Sequence, residues 1–192
     1  MMDGLKKLLK SYKLSDQLVE HILSCGTMIE VKSLDSLVAL DSISENMFYV
    51  KKGGLISQYF DEKSERERTT NFYLPDFQPF FVVSECYFEG LPSMCQIKAF
   101  TKSEVICYNK EDIMKLIEVS NQYRSFYYKN IIEALVSKEK LTSKLITLNS
   151  NILYSTLIKE YPEIIKKVPS KYIAEFMGVT PQWLSKIKKT DF

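Results

Sequence analysis

The sequence predicts an α+β chain: an antiparallel β-barrel or jelly roll toward the N-terminus, one long helix after it, and a C-terminal helix-turn-helix. Three observations carry this. Short β-rich runs broken by turn residues fill residues 30–109, and apolar residues then recur at steps of four and three as far as residue 148. From Ser170 onward, small, glycine and capping residues stand at the spacing of two short helices joined by a tight turn. The expected units are 1–111 for the barrel with its N-terminal helices, 112–148 for the long helix and 149–192 for the last unit.

The N-terminal helices rest on Leu5, Leu8, Leu9 and Tyr12, followed by Leu14, Leu18, Val19 and Ile22, all at helical spacing. The β-rich runs are EVKSLDSLVAL, MFYVKKGGLISQYF, ERTTNFYL, CQIKAF and EVICYNK. In FYVKKGGLISQYF two apolar runs flank Gly53-Gly54, which supplies positive φ without a Cβ clash, so the spacing predicts a hairpin. Repeated short strands of this kind suit a small barrel or jelly roll. The aromatic run NFYLPDFQPFFVVSECYF reads as core, with the lining of a pocket for an apolar ligand as the alternative.

A helical period begins near Lys110 and lasts close to forty residues. Positions 127, 131, 134, 138, 141, 145 and 148 form a heptad seam holding Tyr127, Ile131, Ala134, Leu141, Leu145 and Leu148, with Lys138 as its one charged member. A stripe this long exceeds what one small domain covers, so the seam predicts a two-chain coiled coil. The competing reading packs the helix on its own chain. Lys138 would lay its aliphatic stem along the seam and keep its ammonium in water. Asn149, a favoured N-cap, marks a break after Leu148.

With Ser170 counted first in the helix-turn-helix, Ala174 falls fifth and Gly178 ninth, while Ile173, Met177, Val179, Leu184 and Ile187 take interior positions. A small Ala174 lets the helices approach, and Gly178 permits the turn. Thr180 reads as the N-cap of the second helix, with Pro181 in the first position, where a missing N–H costs nothing. That helix would present Pro181, Gln182, Trp183, Ser185, Lys186 and Lys189 to a DNA groove, while Ser170, Lys171 and Thr180 lie at helix starts suited to phosphate. Gln can pair with adenine and Lys with guanine. Trp183 packs inward or touches a sugar or thymine methyl; the sequence leaves both open. Charge agrees: residues 150–192 hold seven lysines against four acids, net +3, whereas the rest holds 19 basic against 20 acidic residues, net −1.

Composition removes other classes. One histidine, His21, argues against zinc enzymes, Ser-His-Asp or Cys-His catalysis and a cupin-like enzyme on the barrel, so no enzyme is expected. Cys25, Cys86, Cys95 and Cys107 form no CxxC pair and read as reduced thiols. No phosphate-cradle motif, signal peptide or membrane-length apolar run occurs, and no cofactor or metal is expected; the cytoplasm is the expected compartment.

The order of parts, together with KEYPEIIKKVPSKYIAEFMGVTPQWLSKIKK at residues 159–189, resembles the Crp/Fnr family of bacterial transcription regulators, above all its short Bacteroidetes-type members. The resemblance implies a cyclic-nucleotide-binding-like barrel, a homodimer, and an inverted-repeat operator in double-stranded DNA. RNA polymerase and an unidentified small-molecule effector are the further partners it implies. Pro181, Gln182 and Lys186 occupy the half-site-reading positions, where the best-known members carry Arg, Glu and Arg. Aligning EGLPSMCQIKAF with the nucleotide cassette puts Ser93-Met94 at the Arg-Ser pair and Val82-Val83 at the Gly-Glu pair, leaving no cation for a phosphate, so the effector is not expected to be cyclic AMP. The alternative function is a ligand-binding or protein-interaction module whose helical tail docks proteins instead of DNA.

Overall fold

The computed structural model describes residues 3–62 and 65–190, with side chains over 4–62 and 65–188. Helices α1 (Asp3–Ser11) and α2 (Asp16–Cys25) lead into strands β1 (Thr27–Val31), β2 (Ser36–Val38), β3 (Asn46–Lys52), β4 (Leu55–Asp61), β5 (Arg66–Tyr73) and β6 (Phe80–Phe81). After α3 (Ser84–Glu89) come β7 (Gln96–Ala99) and β8 (Ser103–Asn109). The chain then turns helical as α4 (Lys110–Val119), α5 (Asn121–Thr147), α6 (Ser150–Glu160), α7 (Pro162–Lys167), α8 (Ser170–Met177) and α9 (Pro181–Thr190).

The strands form two four-stranded antiparallel sheets, ordered β1-β8-β3-β6 and β2-β7-β4-β5. They make an open jelly roll and not a closed barrel. Between the sheets lie Phe48, Val50, Leu55, Tyr73, Ile97 and Val105, while their strand neighbours Met47, Tyr49, Ile56, Phe72 and Ile106 point to the outer faces and are also buried. Burial on both faces is why these strands read as continuous apolar runs instead of alternating ones.

Helices cover both outer faces. α1, α2, α4 and the first half of α5 pack Leu5, Leu9, Val19, Ile22, Ile113 and Tyr123 with Met47, Tyr49 and Ile106 of the first sheet. The C-terminal helices pack Leu153, Leu157, Ile173, Phe176 and Leu184 in one continuous cluster with Ile56 and Phe72 of the second sheet and with Phe100 beyond β7. Each such side chain contributes about 1.5–3 kcal/mol when fully buried.

Two expectations change. β3 and β4 do not pair: β3 lies beside β8 and β6, and β4 beside β5 and β7, so the segment through Gly53-Gly54 is a corner between sheets and the true hairpin is β4–β5. The glycines are needed there for space. A Cβ on Gly53, at φ +82°, would stand 2.6 Å from the Lys102 carbonyl oxygen, and one on Gly54 would stand 2.2 Å from the Phe100 ring. The long helical stretch is also two helices. Ser120 breaks it, its hydroxyl accepting from the Tyr123 N–H at 3.2 Å to cap α5. The predicted break near Leu148-Asn149 lies where α5 ends, with Asn149 Oδ1 accepting from the Ile152 N–H at 3.1 Å.

Candidate nucleic-acid interface

α8 and α9 owe their geometry to the turn between them. Gly178 sits at φ +67°, and beyond it the Val179 N–H reaches back to the Ala174 carbonyl at 3.0 Å while the Gly178 N–H reaches that of Glu175 at 3.2 Å. These are the two bonds of a Schellman cap, which satisfy carbonyls a helix end would otherwise orphan. Thr180 then caps α9: its Oγ1 accepts from the Trp183 N–H at 3.1 Å. Ile173, Ala174, Met177, Leu184 and Ile187 are buried in the pair's interior, with Val179 packed at its edge.

The outward surface is polar and basic. Thr180, Pro181, Gln182, Ser185 and Lys186 are exposed along α9, as are Ser170 and Lys171 at the start of α8. Trp183 keeps 36% of its surface open, intermediate between a packed and a free side chain. Ser170 Oγ accepts from Lys188 Nζ at 2.5 Å, tying the start of α8 to the end of α9. The side chain of Lys189 lies outside the described residues.

Sequence reasoning missed how this unit is held. Glu175, on the buried side of α8, accepts hydrogen bonds from Gln58 Nε2 (2.8 Å) and Thr69 Oγ1 (2.7 Å), donors on β4 and β5. Phe176 packs on Phe72 with ring centres 5.2 Å apart, and Lys167 pairs with Asp76 at 2.6 Å. Arg68, on the hairpin, reaches the turn at Gly178. The only sequence signal was the polarity of Gln58 and Thr69 inside strands whose other residues read as buried.

The expected coiled-coil seam is occupied by the chain itself. Tyr127 is buried against the first sheet's helices and Leu141 against the C-terminal ones; Ile131 packs on the former cluster, Leu145 and Leu148 on the latter. Ala134 and Lys138 stand between these two contacts, over a cavity of 280 Å³. The premise that one chain cannot cover the stripe fails because α5 spans two separate cores, one at each end. Its open apolar face is the adjacent one, with Tyr128, Ile132, Leu135 and Val136 exposed by 53, 58, 63 and 40% and Ile146 further along.

At the level of sequence, neither a family profile nor a curated protein matches the chain. Its shape is matched by solved structures. FixK2 from Bradyrhizobium japonicum superposes with a TM-score of 0.69 at 15% identity, covering 86% of this chain and 83% of that one. The c-di-GMP-responsive global regulator CLP from Xanthomonas campestris gives 0.67 at 13%, covering 92% and 91%. A chain described as a transcriptional regulator of the Crp/Fnr family, from Eubacterium rectale, gives 0.67 at 14%, covering 93% and 83%. This is the Crp/Fnr regulator fold. In this fold α8 and α9 form a pair of short helices joined by a tight turn, packed beside the roll of two sheets. Among the described residues no cluster of ligating side chains could hold a metal, all four cysteines are free, and no helix is long and apolar enough to cross a membrane.

Proposed function

We propose that the chain is a sequence-specific DNA-binding transcription regulator that acts as a two-fold dimer on an inverted repeat. The observation that carries this is the α8–α9 pair, whose interior demands are all met and whose outward surface is polar and basic. α9 enters the major groove by its N-terminal end, so Pro181, Gln182 and Lys186 meet base edges and Ser185 flanks them. Ser170, Lys171 and Thr180 meet phosphates.

The second copy packs on the exposed face of α5, through Tyr128, Ile132, Leu135 and Val136. Those four side chains are large, apolar and contiguous at helical spacing, and about 40 Å of helix is available to pair with an identical one. Cyclic AMP is not the effector. The Ser93 hydroxyl donates to the Cys95 carbonyl at 2.6 Å and Met94 points outward, 69% exposed, so neither offers a donor to a phosphate. Calorimetric titration with cyclic AMP should show no binding; a micromolar Kd would overturn that reading.

The deciding experiment is selection of bound sequences from random duplex DNA by the purified protein. Enrichment of an inverted repeat, with half-sites about one helical turn apart, supports the proposal. Absence of any enriched sequence overturns it in favour of a tail that docks proteins.

A further inference from the structure

One cation of the roll stands at the edge of the surface formed by α8 and α9. β5 is the outer strand of the second sheet, and Arg68 lies on it opposite Tyr59 of β4. Its guanidinium reaches the turn between the two helices, where Nη2 stands 3.2 Å from the place that a Cβ on Gly178 would take. Gly178 comes two residues before Thr180, so at 3.8 Å per residue the guanidinium lies at most about 12 Å from the cap of α9. Arg68 is exposed and has no hydrogen bond or ion pair among the described residues. The carboxylates on either side of it are engaged elsewhere. Glu67, its neighbour on β5, accepts from Gln96 Nε2 at 2.5 Å and pairs with Lys98 at 3.9 Å. Glu175, on α8, accepts from Gln58 and Thr69 and pairs with Lys171 at 3.9 Å. A planar fork of N–H donors is therefore left open beside the turn that leads into α9.

We propose that Arg68 is a phosphate-contacting residue of the DNA interface, so that the roll supplies a contact to the duplex which the helix pair by itself lacks. A helix that enters the major groove by its N-terminal end brings the residues just before it against the groove wall, and that wall is the phosphate backbone. A guanidinium there meets a phosphate through two parallel N–H bonds, a geometry that an ammonium cannot reproduce. The contact carries charge and touches no base edge, so it adds affinity without sequence preference. Because it comes from β5, the bound duplex bridges the second sheet and α9, fastening the roll to the helix pair. This inference rests on the regulator reading and extends its surface to a strand that the sequence places far from the helices.

The test is the salt dependence of duplex binding by the full-length protein, on the selected operator and on a scrambled duplex of the same composition. Four proteins are compared: the parent, Arg68→Gln, Arg68→Lys and, as a reference within the helix pair, Lys171→Ala. Arg68→Gln should weaken both duplexes by the same factor and lower the slope of log affinity against log salt by about 0.9. Between about 50 and about 200 mM salt the parent should then lose about threefold more affinity than this variant. Arg68→Lys keeps the charge and should keep the parent slope. Neither change should move the melting temperature, because the side chain is exposed and unpaired. An unchanged slope for Arg68→Gln overturns the proposal, a loss confined to the operator replaces it with base reading, and a lowered melting temperature replaces it with packing on the turn. The two readings fail separately. If Lys171→Ala lowers the slope and Arg68→Gln does not, the Arg68 contact alone falls; if the parent binds neither duplex, the regulator reading falls and takes the contact with it.

Discussion

Side chains on α8 and α9 divide by what they would touch. Lys171 at the first turn of α8 is suited to phosphate, so Lys171→Ala should weaken all duplexes alike and lower the salt slope of binding by about one unit, read from titrations at several salt concentrations. Gln182→Ala or Lys186→Ala should cost about 1–3 kcal/mol on the selected site and relax discrimination at one base pair per half-site, read by competition with single-base variants. Uniform losses from all three would mean that α9 does not read bases. Trp183 stands between the classes, 36% exposed. If Trp183→Ala lowers the melting temperature, its ring packs; if it spares stability and loses DNA, its ring is a contact. The exposed members of this surface were legible in the sequence because capping and turn residues have local causes. Thr180 and Gly178 announce themselves through hydrogen bonds that span five residues or fewer, and Pro181 through its place at the first position of α9, where a missing N–H costs nothing. Glu175 was not legible as an anchor, since its partners Gln58 and Thr69 lie 117 and 106 residues away.

Elements were read well where one neighbour settles them and poorly where two arrangements share a pattern. Asn149 and Gly178 mark helix ends whatever lies around them. Gly53-Gly54 between apolar runs fits a hairpin or a corner equally, and only the partners β8 and β5 decide. The α5 seam is ambiguous in the same way: a heptad stripe says that one face is apolar, and not whose side chains cover it, and here Tyr127 and Leu141 are covered by their own chain. The exposed face proposed for the second copy gives a sharp test. Ile132→Asp with Leu135→Asp should yield folded monomers by sedimentation, because both side chains face outward. Leu141→Ala should instead leave assembly unchanged and cost about 2–5 kcal/mol in chemical denaturation, because Leu141 is 2% exposed inside the C-terminal core. The opposite pattern, monomers from Leu141→Ala and dimers from the double aspartate, would restore the seam at Tyr127 to Leu148. Gly178→Ala should cost about 1–2 kcal/mol, since its φ of +67° strains any residue with a Cβ.

At the scale of the whole molecule, the helix-turn-helix and the second sheet share one apolar cluster. A tethered domain would melt by itself; here Phe72–Phe176, Lys167–Asp76 and the two donors on Glu175 join the parts. Calorimetry of the intact chain should therefore show a single transition, with van't Hoff and calorimetric enthalpies that agree. Two resolved transitions would contradict the shared core. Thr69→Val should lower that one transition by about 1–3 kcal/mol of stability, because a mostly buried carboxylate loses a donor. The same joining governs how the chain is made. Ile56, Phe72, Leu74 and Phe100 leave the ribosome well before Ile173, Phe176 and Leu184, and at ordinary synthesis rates a separation of about 100 residues lasts about 5–20 s. Throughout that interval the second sheet presents a bare aromatic and aliphatic face on the nascent chain. A product cut short at residue 148 would keep that face permanently, so it should bind an apolar dye and aggregate while the full chain does neither. The last forty residues thus complete the roll during biosynthesis as well as carrying α8 and α9.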